Sequence, residues 1–194
     1  MRNKPLVLAS TSPYRRQLLE RLRLPFEAAA PGTDETALDG EDAPTRVKRL
    51  ALEKALAVST RFEDALIIGS DQLATLGQEI LGKPGTHERA VAQLENCRGR
   101  AVHFHTGLCL LDSASGDYQL DCVPFTVQFR KLTGAQIERY LRQEKPYDSA
   151  GSFKSEALGI ALFESMRGDD PTALIGLPLI RLTSMLQAAG VEIP

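Results

Sequence analysis

The chain lacks the features that membrane proteins and nucleic-acid-binding proteins need. No apolar run in its 194 residues reaches the length of a membrane span. Its 25 acidic and 23 basic residues leave a formal net charge of −2, and no block is strongly basic. That balance argues against a protein that grips a nucleic-acid backbone, although a local basic pocket for phosphates is compatible with it. We therefore expect neither a membrane nor a nucleic acid as partner.

Cysteine is scarce as well. The three cysteines, Cys97, Cys109 and Cys122, are widely spaced and form no Cys-x-x-Cys pair, so reduced thiols in the cytoplasm fit best. The first residues, Met-Arg-Asn-Lys-Pro, lead directly into a predicted strand. A signal peptide would need a longer apolar core and a cleavage site of small residues. We therefore expect a cytoplasmic protein.

The hydrophobic pattern predicts the fold class. Hydrophobic residues make up 43% of the chain, which is enough for a sizeable core and argues against disorder. Strands are predicted at 6–9, 26–30, 65–76, 79–81, 101–111, 118–129 and 159–163, and helices at 14–22, 43–60, 87–97, 136–143 and 179–189. This order predicts an α/β fold, with a mixed, elongated sheet flanked by helices and residues 1–194 in one domain that can divide into two lobes.

The stretch 65–84 is the most informative part of the sequence. Its apolar beginning is a buried strand, and Asp71 follows where a carboxylate is costly unless a charge or a metal meets it. After a turn at Gly77 the chain returns to Gly82-Lys83-Pro84, so the predicted hairpin carries Asp71 and Lys83 on opposite arms. An acid, an amide and an ammonium framed by glycines indicate a site for a phosphorylated ligand with a metal. The alternative for Asp71 is a turn residue after a strand.

One motif in this stretch is a false match. The spacing Gly77-x-x-x-x-Gly82-Lys83 is that of a phosphate-binding P-loop, in which a Ser or Thr follows the lysine and holds magnesium. Here Pro84 follows, lacks an N–H group and biases Lys83 away from helical geometry. The sequence therefore does not predict a P-loop.

A second candidate site lies after the first strand, in Ser10-Thr11-Ser12-Pro13. Ser12 is a good N-cap and Pro13 suits the first helical position, so hydroxyls and free N–H groups should meet at a helix N-terminus, which attracts anions. Arg15 and Arg16 follow in the first turn, where cations oppose the helix dipole. Their position suggests that at least one serves a ligand. The alternative is two solvated arginines.

Further candidates are charged residues near apolar faces. Lys54 lies on or beside the apolar stripe of the helix predicted at 43–60, where it either extends along that face to solvent or points its ammonium into a pocket. A polar loop before this helix holds Asp34 and Glu35, and a loop of small residues at 148–156 combines Lys154 with Glu156.

Two histidines form a weaker candidate. His103 and His105 are two residues apart and share one strand face, where they could bind a metal. No third ligand lies nearby in the sequence, so ordinary strand residues are the favoured interpretation.

Taken together, these motifs resemble the Maf family of nucleoside triphosphate pyrophosphatases. They span nearly the whole chain in the family's order: Ser10-x-Ser12-Pro13-x-Arg15-Arg16, Asp34-Glu35, Lys54-Ala55, Gly69-Ser70-Asp71-Gln72, Gly82-Lys83-Pro84 and Gly151-Ser152-Phe153-Lys154. The resemblance implies a fold similar to inosine triphosphate pyrophosphatases, with a central cleft between two lobes. It also implies hydrolysis of a nucleoside triphosphate to the monophosphate and pyrophosphate with a divalent cation, Mg²⁺ or Mn²⁺.

On this basis we assign hypothetical roles to the matching residues. Asp71 is the expected proton acceptor, and Glu35 and Asp71 are the expected metal ligands, because a hard cation suits carboxylates. The expected phosphate-binding residues share a hydroxyl or a positive charge: Ser10, Ser12, Arg15, Lys54 and Lys83.

Three positions depart from the commonest family pattern. Tyr14 stands where an arginine is usual, Gln72 where a threonine is usual, and Glu156 where a glutamine is usual. This trio resembles the subfamily that prefers 7-methyl-GTP, so we expect these residues to determine substrate specificity. The alternative for Tyr14 and Glu156 is a surface role, in which the tyrosine covers its helix turn and the glutamate is solvated.

Two other functions stay open at this point. The first is the same chemistry on dTTP or UTP, as in commoner members of the family. The second is a non-catalytic nucleotide sensor or cell-division regulator, which would need no general base. A homodimer is plausible for the family, and no stretch of the sequence indicates an interface.

Overall fold

The computed structural model describes residues 4–193. Its strands are β1 (Leu6–Leu8), β2 (Phe26–Ala28), β3 (Leu66–Leu76), β4 (Glu79–Leu81), β5 (Ala101–Asp112), β6 (Tyr118–Phe129) and β7 (Phe163–Arg167). Its α-helices are α1 (Pro13–Glu20), α2 (Ala43–Ser59), α3 (His87–Cys97), α4 (Gly134–Glu144) and α5 (Leu179–Ala188). Short 3-10 helices cover Ala150–Ser152, Leu158–Leu162 and Pro171–Leu174.

The strands form a mixed sheet in the order β2-β1-β3-β5-β6-β7, with β4 paired to β3. Strand β1 pairs in parallel with both β2 and β3, whereas β3–β4 and β6–β7 are antiparallel. The predicted α/β class, with a mixed sheet and flanking helices, is therefore confirmed.

The chain divides into two compact units, and neither is continuous in sequence. Unit 1 comprises Met1–Gln72, His105–Val123 and Asp170–Pro194, and unit 2 comprises Leu73–Phe104 and Pro124–Asp169. Asp71 and Gln72 therefore end the first segment of unit 1, whereas Lys83 and Glu156 belong to unit 2. The assignment of residues 1–194 to one domain stays a prediction.

Unit 1 has a separate hydrophobic cluster on each face of its strands. Leu66 and Ile68 of β3 pack in the cluster that includes residues of α1 and α5, whereas Ile67 packs in the cluster that includes residues of α2. This alternation is the two-residue period of a strand. It places Asp71 on the same face of β3 as Ile67, and Gln72 on the opposite face.

Two glycines allow helix α2 to lie directly against the strands. A Cβ atom on Gly69 of β3 would be 2.0 Å from the carbonyl oxygen of Ala51, and one on Gly107 of β5 would be 2.0 Å from that of Val47. Both oxygens belong to the backbone of α2 and cannot move alone. The glycines therefore set the distance between the helix and the strands, as close backbone approach requires.

The core of unit 2 contains four phenylalanines. The ring of Phe153 lies 5.6 Å from Phe104, 5.6 Å from Phe129 and 4.9 Å from Phe163 between ring centroids, each in an edge-to-face arrangement. Edge-to-face geometry is favourable for aromatic pairs. Phe153 thus anchors the loop 148–156 to its unit.

The strand predicted at 159–163 is wrong. That segment is a 3-10 helix, Leu158–Leu162, and the strand begins only at Phe163. The N–H groups of Ala157 and Gly159 both donate to the carbonyl oxygen of Lys154, which closes a tight turn. A Cβ at Gly159 would lie 2.4 Å from that oxygen, so the apolar residues here belong to a turn and not to an extended strand.

The described residues include no helix with the length and apolar character of a membrane span. The three cysteines are free thiols. Burial raises the pKa of the Cys97 and Cys109 thiols to about 12, so very little reactive thiolate exists at neutral pH. Neither thiol is therefore a plausible nucleophile.

Candidate active site

Three charged residues of unit 1 meet at one point. The Nζ atom of Lys54 lies 2.6 Å from a carboxylate oxygen of Asp71 and 2.6 Å from a carboxylate oxygen of Glu35. Lys54 and Asp71 are 5% and 7% exposed, whereas the Glu35 side chain is 60% exposed. The group therefore has a buried pair at its base and one carboxylate that faces solvent.

The local structure explains why these residues meet. Lys54 follows Ala51 on the face of α2 that packs on the strands, and Gly69 lets that face approach β3 two residues before Asp71. A buried carboxylate or ammonium alone would be very unfavourable, so each stabilises the other here. Of the two alternatives for Lys54, the structure selects the ammonium that points inward.

The loop that carries Glu35 is fixed by two arginines of α2. Arg46 donates to the carbonyl oxygen of Glu35 at 2.7 Å, and Arg49 donates to that of Thr36 at 3.1 Å. Arg49 also binds both carboxylate oxygens of Glu41, at 2.7 and 2.8 Å. A guanidinium suits such paired contacts. The arginines therefore hold the backbone from which the Glu35 side chain reaches Lys54.

Asp34 has a different role from its neighbour. One of its carboxylate oxygens accepts hydrogen bonds from the backbone N–H of Thr36 at 2.9 Å and from its hydroxyl at 2.6 Å. These bonds lower the pKa of the Asp34 carboxyl group. Asp34 is thus a turn residue that shapes the loop, a common use of aspartate.

The carboxylates Glu35 and Asp71 fit a divalent cation in part. Both already surround one positive charge, the Lys54 ammonium, at 2.6 Å. The described residues contain no cluster of three or more His, Cys, Asp or Glu residues that could hold a metal. Two carboxylates suffice for Mg²⁺ when water and substrate phosphates supply its other ligands. His103 is exposed and its Nδ1 lies 3.1 Å from the hydroxyl of Thr126, as in an ordinary strand contact.

Helix α1 begins directly after its predicted N-cap residue, Ser12. The Ser12 hydroxyl accepts the N–H of Arg15 at 3.4 Å, and the Ser10 hydroxyl accepts the N–H of Ser12 at 3.1 Å. The bond from Arg15 to Ser12 is the one that the predicted N-cap requires, and Pro13 has no N–H group. The role of this segment as an anion site stays a prediction.

Arg15 and Arg16 have different surroundings. Arg15 is half-buried, and its Nε donates to the carbonyl oxygen of Gly176 at 2.8 Å. Burial lowers the pKa of Arg15, while the charges of Asp71 and Glu35 oppose that shift. Arg16 is exposed, with its guanidinium carbon 5.9 Å from the centre of the Phe26 ring. Arg15 thus lies near enough to Asp71 and Glu35 for their charges to act on its guanidinium.

Gln72 is on the opposite face of β3 from Asp71, and protein acceptors surround its amide nitrogen. The Nε2 atom donates to the carbonyl oxygens of Ala173 and Leu174, at 2.6 and 3.1 Å, and lies 3.1 Å from the hydroxyl of Thr106. Since carbonyl oxygens only accept, these contacts fix the orientation of the amide. Tyr14, the other specificity candidate of unit 1, is half-buried in the first turn of α1.

The remaining candidates belong to unit 2. Lys83 is exposed and follows the end of β4, which confirms that the Gly77–Lys83 spacing is a hairpin and not a P-loop. Glu156 is also exposed, and one carboxylate oxygen accepts a hydrogen bond from Ser155 at 3.3 Å. Lys154 contacts Asp148 of the same loop at 3.7 Å.

Sequence reasoning missed the residues that hold the candidate site in place. Arg46 and Arg49 fix the Glu35 loop, Thr106 contacts Gln72, and Gly176 accepts from Arg15. The spacing of Arg49 and Glu53, four residues apart on one helix, was a detectable signal for a local ion pair. No comparable pattern marks Thr106 or Gly176, because their partners are distant in sequence.

Comparison with known proteins gives consistent matches along the chain. Residues 5–189 match the family model described as Maf-like protein. A protein of Thiobacillus denitrificans named 7-methyl-GTP pyrophosphatase is 60% identical over 188 residues, which are 97% of this chain and 94% of the relative. A protein of the same name from Pseudomonas aeruginosa is 57% identical and covers 97% of this chain and 98% of its own length.

Solved structures share the fold at much lower sequence identity. The Ham1 protein of Staphylococcus aureus matches with a TM-score of 0.54 at 12% identity, covering 96% of this chain and 100% of that protein. A HAM1 protein from Coxiella burnetii matches with a TM-score of 0.51 at 12% identity, covering 95% and 99%. At this identity the similarity concerns the fold alone.

Proposed function

This chain belongs to the Maf family, and from that membership we propose that it is a nucleoside triphosphate pyrophosphatase whose preferred substrate is 7-methyl-GTP. The products are the nucleoside monophosphate and pyrophosphate. Relatives that are 60% and 57% identical over nearly the whole chain are named for this activity. The structural observation that carries the proposal is the buried contact of Lys54 with Asp71, shared with the exposed carboxylate of Glu35.

In this mechanism Asp71 is the general base. It takes a proton from a water molecule as the water oxygen attacks a phosphorus of the triphosphate chain, and pyrophosphate leaves. The Lys54 ammonium holds the carboxylate in place and prevents an unpaired buried charge. Glu35 and Asp71 are the residues that would hold a divalent cation, Mg²⁺ or Mn²⁺, which acidifies water and neutralises phosphate charge when bound.

The phosphate chain is bound by positive charges and hydroxyls. Arg15 and Lys54 oppose the charge that develops on the phosphate oxygens. Lys83 remains a phosphate-binding candidate through the family resemblance. Ser10 and Ser12 add hydroxyls at the N-terminus of α1. Their oxygens accept backbone N–H groups, so their hydroxyl hydrogens stay available to an anion.

Replacement of Arg15 by lysine should lower kcat/KM although the charge is kept. Lysine cannot bind two oxygens in one plane, and its Nζ cannot reproduce the bond from Nε to Gly176. We expect a loss of about tenfold or more, since hydrogen bonds to charged groups contribute about 1.5–3 kcal/mol. Pyrophosphate release at varied nucleotide concentration measures it, and Lys83→Ala should also lower activity.

The matched control for this experiment is Arg16→Lys. Arg16 is one residue along the same helix, exposed and directed towards Phe26, so its replacement should change kcat/KM little. Unchanged activity in both Arg15→Lys and Lys83→Ala would place the phosphate site elsewhere in the protein.

The preference for a methylated base rests on charge. Methylation at N7 makes guanine cationic, and a cation is favoured by an aromatic face or a carboxylate and disfavoured by an arginine. Tyr14 would stack on the base, a contact that contributes about 0.5–2 kcal/mol for a cation over an aromatic ring. Glu156 would accept hydrogen bonds from the guanine N1–H and amino groups, with added attraction from its charge. Its exposed carboxylate is suited to that role.

In a competition of 7-methyl-GTP with GTP, dTTP and UTP, we expect the highest kcat/KM for the methylated nucleotide. The double variant Tyr14→Arg with Glu156→Gln should shift the preference towards pyrimidines. A wild type that prefers dTTP or UTP would support the other activity of the family. A wild type that binds nucleotides and releases no pyrophosphate would support a nucleotide sensor instead.

We place this activity in the cytoplasm, where it would remove an altered nucleotide from the nucleotide pool. The three free cysteines agree with a reducing compartment. A homodimer stays part of the proposal through the family resemblance alone, and sedimentation equilibrium tests it directly.

A further inference from the structure

The segment 170–177, which we name the clamp loop, is fixed at its beginning by a buried carboxylate. Asp170 is 2% exposed, and one oxygen accepts the N–H of Thr172 at 3.0 Å and its hydroxyl at 2.6 Å. The other oxygen accepts the N–H of Ile180 at 2.8 Å and that of Arg181 at 3.3 Å, in the first turn of α5. The helix N-terminus thus stabilises the aspartate and anchors the loop.

The middle of the clamp loop is held by two strands. Thr106 of β5 is fully buried, and its hydroxyl donates to the carbonyl oxygen of Ala173 at 2.9 Å. Gln72 of β3 donates to Ala173 and Leu174, and its nitrogen also lies 3.1 Å from the Thr106 oxygen. The Thr106 hydrogen is directed to Ala173, so its oxygen acts as an acceptor, and the two N–H groups of Gln72 are shared among the oxygens of Ala173, Leu174 and Thr106.

The end of the clamp loop contacts the proposed phosphate site. The carbonyl oxygen of Gly176 accepts from Nε of Arg15 at 2.8 Å and lies 3.0 Å from the hydroxyl of Ser70, whose single hydrogen it shares with the carbonyl oxygen of Gly107 at 2.9 Å. Gly176 has a φ of +120°, a backbone conformation that other residues rarely adopt. A side chain there would also start 3.5 Å from Nε of Arg15. The position of this one carbonyl therefore decides the direction of the guanidinium.

We infer that Thr106 is a positioning residue for the phosphate-binding arginine, and that it acts with Gln72 through the clamp loop. Thr106 and Gln72 fix Ala173 and Leu174, these residues fix the carbonyl oxygen of Gly176, and that oxygen aims Arg15. The inference rests on the proposed function, in which Arg15 binds phosphate. If the inference holds, these contacts affect the binding of every nucleoside triphosphate equally, whatever its base.

The face of β3 from which Gln72 projects supports a role in positioning the clamp loop over direct contact with the base. Asp71 contacts α2, whereas Gln72 projects from the other face of β3 and its N–H groups are bound by protein oxygens. A glutamine free to rotate can offer either a donor or an acceptor to a ligand. Here both donors are engaged, so the amide primarily holds the loop.

The test uses tripolyphosphate, which has the phosphate chain and no base. In Thr106→Val, a variant of similar shape without the hydroxyl, we expect its inhibition constant and the nucleotide KM to rise by the same factor. A displaced binding group should cost between about threefold and a hundredfold. The ranking of 7-methyl-GTP, GTP, dTTP and UTP should stay unchanged, and Thr106→Ser should restore both constants.

Two further variants separate this role from general damage to the core. Thr75→Val is the matched control, because Thr75 is also a buried strand threonine whose hydroxyl donates to a carbonyl oxygen, that of His103. It should leave both constants unchanged. Thr172→Val loosens the clamp loop from its other end, by removing the hydroxyl that binds Asp170, and should weaken tripolyphosphate as Thr106→Val does. It serves as the test if Thr106→Val does not fold.

A double-mutant cycle with Arg15→Ala tests whether Thr106 acts through Arg15. If Thr106 acts through Arg15, the effect of Thr106→Val on tripolyphosphate inhibition should disappear in the Arg15→Ala background. An equal effect in both backgrounds overturns the inference. A changed ranking of the nucleotides with unchanged tripolyphosphate inhibition also overturns the inference, because it would show that Thr106 and Gln72 act on recognition of the base. If Arg15→Ala itself leaves inhibition unchanged, the phosphate assignment fails instead.

Discussion

Replacement of Asp71 by asparagine should nearly abolish pyrophosphate release while the protein stays folded. The amide keeps the shape of the side chain and cannot take a proton from water. General-base catalysis typically contributes about a hundredfold to ten-thousandfold, so kcat should fall by about that range. The Lys54 ammonium keeps Glu35 as its partner, so we expect no collapse of the fold. Steady-state kinetics and thermal unfolding of the same samples measure the two quantities.

The control for this experiment is Asp112→Asn. Asp112 also pairs with a lysine, Lys4, at 2.7 Å, and its side chain is 27% exposed, outside the candidate site. Its replacement should leave kcat unchanged, since a surface ion pair contributes about 0–1 kcal/mol to stability and nothing to the reaction. Near-wild-type turnover of Asp71→Asn would contradict the assignment of Asp71 as the general base.

Replacement of Gly69 by alanine should strongly destabilise the protein. The new Cβ would lie 2.0 Å from the backbone oxygen of Ala51 and 3.1 Å from the Cβ of Ala55, so helix α2 would have to move away from β3. Overpacking of this kind costs about 1–3 kcal/mol and occasionally more. Because α2 carries Lys54, activity should fall as well. Urea unfolding gives the free energy, and pyrophosphate release gives the activity.

The matched control is Gly134→Ala, in the first turn of α4. A Cβ at Gly134 would meet no atom within 4 Å, and its backbone conformation is open to other residues. Alanine favours helices by about 1 kcal/mol over glycine, so this variant should be neutral or slightly more stable. If Gly69→Ala unfolds at the same urea concentration as the wild type, close contact with α2 does not limit this position.

Helix caps and strand periods were readable from sequence because their causes are local. Ser12 caps α1 as predicted, and the predicted limits of α3, His87–Cys97, and of β6, Tyr118–Phe129, are confirmed. Each depends on residues within a few positions of one another. The strand predicted at 159–163 was wrong because this segment follows a turn closed by hydrogen bonds to the carbonyl oxygen of Lys154. The spacing of apolar residues does not reveal such bonds.

The family could be recognised from sequence because its motifs are short and occur in a fixed order. A short motif of polar residues that follows a glycine, such as Gly69-Ser70-Asp71-Gln72, can be identified from the sequence without a structure. The match of residues 5–189 to the family model confirms that recognition. The roles of the individual residues stay predictions, which the variants above test.

Composition, periodicity and motif order were enough to predict the class of fold, the family and the candidate residues. The partners of those residues could be found only in the folded molecule. Arg15 meets Gly176 across 161 positions, and Gln72 meets Ala173 across 101. Lys54 meets Asp71 across 17, because a glycine lets α2 approach β3. Such contacts arise from how helices and strands pack together, and no local pattern in the chain encodes them.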